Sequence, residues 1–325
     1  MVTTTNTSLD LRPAGFLRYF LFPALLAGVL GLGASIVPAA NGDLTIETFP
    51  VGGSPIGLAY DGENIWAALT DSAAVTKVRA SDGVVVGTYP VGRTPLYVVF
   101  DGENIWVTSD DTATVTKLRA SDGARLGVFH VGAHPFGITY DGANIWVSNS
   151  GESSVTKLRV ADGLALGTYP VGSQPRGITY DGASIWVANA ASNTVTKLRG
   201  SDGRTLGSFA VGADPYDALF FRGAIYVTNF LDSSVTQLRA SDGAVLSTLD
   251  VGSSPTGITF DRNSLWVSNL SQDTVTRRRP FTNSPVFTYP VGHLPYDVLY
   301  AGGSIWVSNY QGFSLSKISS SRASN

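Results

Sequence analysis

Apolar and polar residues alternate along this chain in short runs, and turn-forming residues separate the runs. No window of useful length carries a 3.6-residue apolar period, so helices are not expected. Residues 171–210 show the pattern well. The alternation predicts a strand over 177–180. A turn follows at 181–184, where Gly182 supplies a positive φ. A second strand over 185–189 is rich in the β-branched and aromatic types that fit a pleated surface. A polar loop at 190–194 leads to a third strand over 195–199. Ser201, Asp202 and Gly203 read as a hairpin turn, and a fourth strand runs from about 205 to 211.

The same 40 residues recur without insertion or deletion. Val-Gly stands at 51, 91, 131, 171, 211, 251 and 291. A proline follows three places after each glycine, from Pro55 to Pro295. Eleven places on stands a large aromatic: Trp66, Trp106, Trp146, Trp186, Tyr226, Trp266 and Trp306. Four strands in each of seven 40-residue copies predict an all-β chain, a seven-bladed β-propeller with four antiparallel strands per blade. The ends support a ring. The seventh copy runs out near residue 318 without its fourth strand, and residues 44–50 align with the fourth strand at 84–90. The N-terminal strand is therefore expected to complete the C-terminal blade and leave no open edge between first and last blades. An open solenoid would have no use for this offset.

A length of 325 residues would allow two domains, but the unbroken period gives one propeller over 43–318. Residues 319–325 are polar and expected to be a disordered tail. Residues 1–42 differ from the rest. Arg12 and Arg18 precede an apolar run at 19–37, and Pro38, Ala39, Ala40 and Asn41 offer a cleavage point. This reads as a signal peptide, or as an uncleaved N-terminal membrane anchor, which Pro23 and the glycines at 28, 31 and 33 weaken. Either reading places the propeller outside the cytoplasm, secreted, periplasmic or anchored facing outward. Membrane contact is expected only through 19–37. Charged residues make up 14% of the chain and the net charge is −3, so no basic patch invites nucleic acid. There is no cysteine, which excludes disulfide and thiolate chemistry. The chain is expected to be a monomer.

Several motifs carry a resemblance. The second strand reads Tyr226, Val227, Thr228, Asn229 in copy five and Trp-Val-Ser-Asn at 146–149, 266–269 and 306–309. With Ser192 to Thr196, and with 168–172 followed by Pro175, these residues resemble the YVTN family of β-propeller repeats, found in exported and surface-layer proteins of bacteria and archaea. The resemblance covers 43–318 and is specific for fold. The chain is also distantly similar to the virginiamycin B lyase group and to NHL repeats. The lyase resemblance implies a metal-assisted His/Glu site on one face, and no such cluster stands in this sequence.

The turns between strands one and two and between three and four hardly vary, which backbone geometry explains. The loops on the other face vary around each proline, and loops on a rigid scaffold carry function. The candidate ligand residues at the channel mouth are Tyr97, Phe136, His134, Arg176, Tyr216, Asp217, His293, Tyr296 and Asp297. Aromatic faces and carboxylates suit a sugar, a cationic group or another small polar ligand. In a plainer reading, Tyr and Asp merely satisfy strand ends beside a water-filled channel. No cofactor is expected. A divalent metal would have Asp217 and Asp297 as its only obvious pair. His130 is expected at a strand edge, and the seven aromatics from Trp66 to Trp306 in the core between blades. Arg277, Arg278 and Arg279 break the repeat of copy six and read as a solvated face or a docking patch for an anionic surface. The function expected is a non-catalytic binding or scaffold propeller with a protein, polysaccharide or small polar partner at the loop face. The alternatives are a propeller enzyme of lyase or lactonase type and a structural cell-surface component.

Overall fold

Each 40-residue copy forms one antiparallel sheet whose strands pair in chain order. A computed structural model of the chain describes residues 35–38, 44–280 and 286–320. In blade four the strands are Pro175–Tyr180, Ser184–Asn189, Thr194–Arg199 and Thr205–Ala210. The first strand starts two residues before the expected one, because Pro175 pairs with Asn189 across a bulge that ends at Ile178. First strands of successive blades pack side by side, and those of blades seven and one meet as well. The first strands therefore surround the axis. The fourth strands form the rim, and those of blades one to four share one pattern of exposed and half-buried residues.

The ring closes as expected. Blade seven is built from Pro295–Ala301, Ser304–Asn309 and Ser314–Ser320, and Leu44–Pro50 pairs antiparallel with the last of these from Leu44 opposite Ser320 to Pro50 opposite Ser314. Pairing with Leu44 and Thr45 holds Ser320 and Ser319 in the strand, so order runs two residues into the segment expected to be a tail. Ser35–Pro38, the end of the expected export segment, adds a fifth strand on the outer edge of Leu44–Pro50. The rest of that segment, residues 321–325, and Phe281, Thr282 and Asn283 lie outside the described residues.

The large aromatics stand between blades. Trp66 is fully buried and packs with Val98, Ile105 and Leu118 of blade two, and Trp306 packs with Leu58, Ile65 and Val78 of blade one. A fourth-strand ring lies on each indole, as Tyr89 does on Trp66 at 5.4 Å. Phe49 takes that place on Trp306 at 5.8 Å. The same ring covers the third-to-fourth turn of the next blade. A Cβ on Gly83, which has φ +74°, would lie 2.1 Å from Phe49. That glycine is required by contact as well as by its turn.

The first-to-second turns do more than bend the chain. Asp181 accepts from the N–H groups of Ala183 at 2.9 Å and Ser184 at 2.6 Å, and from the indole N–H of Trp186 at 2.7 Å. Lys197 lies over the Trp186 ring at 4.8 Å and donates to the Ala240 carbonyl of the next blade at 2.7 Å. Blade six has Arg277 in the lysine's place, 5.3 Å from Trp266, and Arg278 donates to the Asp250 carbonyl at 2.9 Å. The expected arginine face is therefore partly inside the blade, and of the three only Arg279 is exposed.

Candidate site at the channel mouth

The fourth-to-first and second-to-third loops share one face. Ser54 donates to Asp71 at 3.0 Å and Thr94 to Asp111 at 2.8 Å, each joining the two loops of one blade. The residue before the proline is held at positive φ in six copies, from Thr94 at 54° to Leu294 at 51°. This left-handed turn feeds the chain into the first strand, and the bulge behind the proline frees the next two residues from ordinary pairing.

The first of these two positions carries Ile56, Leu96, Phe136, Arg176, Tyr216, Thr256 and Tyr296. Phe136 packs edge-on against Tyr216 at 5.7 Å, and Tyr216 packs edge-on against Tyr296 at 5.7 Å. The hydroxyls of Tyr216 and Tyr296 are hydrogen-bonded to each other. Arg176 lies over the Tyr216 ring at 4.7 Å and pairs with Asp214 at 3.0 Å. Burial raises the pKa of Asp214 while Arg176 pulls it down, and the rise is the net result.

The second position is glycine in four copies and carries Tyr97, Asp217 and Asp297 in the others. Round the ring, no two of these three are neighbours. The glycines beside them are needed: a Cβ on Gly177 would come 2.4 Å from the Asp217 Cα, and one on Gly257 would come 2.7 Å from the Asp297 Cα. Asp217 accepts from the N–H groups of Ala218, at 2.8 Å, and Ile258 of the next blade. Asp297 accepts from Val298 and from Leu58 of blade one, both at 2.8 Å. Burial, with the charge of Asp297 behind it, pushes Asp217 up to about 8 against these two N–H groups. Burial likewise pushes Asp297 up to about 7. Tyr97 packs at a tilt against Phe136 at 5.2 Å, and its hydroxyl is buried without a hydrogen-bond partner. Burial, with Asp217, Tyr296 and Asp297 close by, raises its pKa well above the ordinary phenol value.

Seven of the nine candidate residues therefore fall in one cluster drawn from blades two, three, four, five and seven. His134 and His293 do not join it. Each is exposed and turned to a loop of the preceding blade, His134 to Asp110 at 3.2 Å and His293 to Asp273 at 3.0 Å. The left-handed turn and the bulge set the residue before the proline apart from those after it, which spacing along the loop does not reveal. His130 is exposed in the fourth strand of blade two, opposite Thr114. Asp214, Phe230 and Tyr310 belong to the cluster and were missed. Phe230 packs on Tyr216 at 5.8 Å and Tyr310 on Tyr296 at 6.3 Å. The available signal is a large aromatic at the start of the second-to-third loop, where the other copies carry Thr70, Asp110, Ser150, Ala190 and Leu270.

A divalent cation would find a poor donor set. Among the described residues no three His, Cys, Asp or Glu side chains group as metal ligands. Two carboxylates fall short of the roughly six to eight oxygen ligands that Ca²⁺ takes and of the regular octahedron that Mg²⁺ demands.

Fold and site together define a seven-bladed propeller whose divergent side chains meet at one end of its channel. No family model matches the chain, and no curated protein matches its sequence. Among solved structures it is similar to selenomethionine-substituted virginiamycin B lyase from Staphylococcus aureus, with TM-score 0.74 and 16% identity over 85% of this chain and 99% of that one. A streptogramin B lyase structure gives 0.73 and 18% over 86% and 98%. Hydrazine synthase of Kuenenia stuttgartiensis gives 0.71 and 17% over 83% and 96%. The resemblance to the lyase group thus holds as a distant relationship between propellers, and identities this low carry the fold alone.

Proposed function

We propose that this chain is a non-catalytic binding propeller that acts outside the cytoplasm and takes its ligand at the channel mouth on the loop face. One observation carries the reading: the side chains that depart from the repeat converge there, in a continuous aromatic and charged cluster from Tyr97 to Tyr296. The setting outside the cytoplasm rests on the basic and apolar pattern of residues 1–42.

The cluster suits binding better than turnover. Arg176 and Asp214 neutralise each other, and both channel carboxylates are locked by backbone donors. The rings of His134 and His293 pair with the loop carboxylates of Asp110 and Asp273, and among the described residues no hydrogen bond joins either ring to a hydroxyl or a channel carboxylate. A lyase reaction of the kind named for two of the relatives would need a base or a Lewis acid at the mouth; the carboxylates there are held by backbone donors, and among the described residues no three His, Cys, Asp or Glu side chains group as metal ligands.

The test is a screen of the full chain on oligosaccharide and peptide arrays beside two variants. Tyr296→Ala removes the ring at the centre of the mouth. Arg199→Ala breaks an exposed ion pair with Asp202 at 3.3 Å, away from it. Ligands bound by the native chain and by Arg199→Ala but weakened about tenfold or more by Tyr296→Ala would support the reading. Chemical conversion of a bound ligand, or binding indifferent to Tyr296, would overturn it.

A further inference from the structure

We infer that the channel beside the Tyr216–Tyr296 contact receives a primary ammonium group, held between the carboxylates of Asp217 and Asp297 and the hydroxyl of Tyr97. The inference rests on the channel-mouth reading and narrows it to a ligand class: a small alkylamine, or the amine end of a larger molecule.

The two carboxylates are arranged for a cation that the chain does not supply. Their direct partners are neutral backbone N–H groups, from Ala218 and Ile258 on one and Leu58 and Val298 on the other. The nearby cation, Arg176, is paired with Asp214 and lies over the Tyr216 ring. Buried charges are ordinarily paired, yet no ion pair reaches Asp217 or Asp297 among the described residues. Each carboxylate keeps free lone pairs after its two N–H bonds. The Tyr97 oxygen is buried and has none of its bonds made. An ammonium group has three N–H donors and no acceptor, and the three groups that interact electrostatically here, two carboxylates and one phenol, can all accept.

The arrangement also sets a direction with pH. Tyr97 feels both carboxylates, Tyr296 feels Asp297, and Arg176 and Asp214 act on Tyr296; none of these groups supplies an unpaired positive charge. Without a bound cation, protons neutralise Asp217 and Asp297 near neutral pH. An ammonium group must displace those protons, so binding tightens as pH rises and releases protons into the buffer.

The experiment is calorimetric titration of the full chain with methylammonium chloride at about pH 6 and about pH 9, in buffers of different ionisation heat, where a site linked to this pair should bind about tenfold or more tightly at the higher pH. Tetramethylammonium, which has no N–H, should not compete. Asp217→Asn should weaken binding about tenfold and Tyr97→Phe several-fold, about three to ten. Asp297 anchors the first strand of blade one, so the folding of Asp297→Asn is checked by melting. Tyr97→Phe removes only an orphan hydroxyl and keeps the test decisive. No saturable heat with methylammonium at either pH overturns the proposal, as does equal binding by Asp217→Asn and the native chain. Competition by Ca²⁺ would overturn it in favour of a metal. Array ligands lost in Tyr296→Ala, alongside silence towards methylammonium, would leave the binding reading standing and remove the ammonium one.

Discussion

The residue that explains most of a blade is the aspartate that opens the first-to-second turn. Asp61, Asp101 and Asp141 would be pushed up by burial, but the indole N–H and the backbone N–H groups outweigh it and hold them below the usual carboxylate range. The blades that lack this aspartate show what it does. In blade five Phe221 stands in its place, the tryptophan becomes Tyr226 and the lysine becomes Gln237, whose side-chain N–H donates to the Tyr226 hydroxyl at 3.0 Å. Three positions change together and the buried polar atom stays satisfied. In blade seven Ala301 replaces the aspartate, Trp306 stays, and its indole N–H has no partner. Trp186→Ala is expected to cost about 3–5 kcal/mol through the cavity it leaves. Asp181→Ala should cost about 1–3 kcal/mol through the stranded indole and turn N–H groups. Denaturant melts of the two variants check both values, and a larger loss for Asp181→Ala than for Trp186→Ala would contradict the ordering.

Strands are tied across blades by hydroxyls. Ser308 accepts from Asp297 N–H at 2.9 Å and donates to the Ile56 carbonyl of blade one at 2.6 Å, and Thr228 bridges Asp217 and Thr256 in the same way. Ser308→Ala should therefore weaken the closing junction by about 1–3 kcal/mol, since it leaves buried backbone groups unpaired. The strand that closes the ring is testable on its own. Phe49→Ala removes the ring that covers Trp306 and Gly83, and should cost about 3–5 kcal/mol, as Phe209→Ala should in blade four. Removing residues 1–50 leaves Ser314–Ser320 as an open edge. It should lower the melting temperature and produce aggregates in size-exclusion chromatography, whereas removal of 1–43 keeps Leu44–Pro50 and should leave the elution of the chain unchanged.

At the scale of the whole ring, the two channel carboxylates couple stability to pH. Their folded pKa values, about 8 for Asp217 and about 7 for Asp297, stand above the ordinary carboxylate value. The native chain therefore holds protons that the unfolded chain has released. Their contribution is full below about pH 4 and is lost as pH rises through about 7 to 8. The turn aspartates act with opposite sign, and their contribution is lost only in acid, below about pH 4. Melting temperature should thus fall between about pH 5 and about pH 8, and Asp217→Asn should flatten that fall. A native melting temperature that rises across this window would contradict it.

Much of this molecule could be read from one dimension. Strand order, blade number and the join of Leu44–Pro50 to the last blade follow from periodicity, because each turn and strand is specified by neighbours within a few residues and the unit is copied at constant spacing. Divergence from the repeat also pointed to Tyr97, Arg176, Tyr216, Asp217, Tyr296 and Asp297. Other features depend on residues about one or two blades apart. The lysine clamp on the next blade and the glycines that make room for Asp217 and Asp297 arise from contacts between copies, and a periodic string looks the same with or without them. The same holds at the mouth. His134 lies only two residues from Phe136 along the chain, yet a left-handed turn and a bulge send one side chain to an outer loop and the other to the channel. Repetition places the elements; the curvature of the ring selects which of their variable side chains meet.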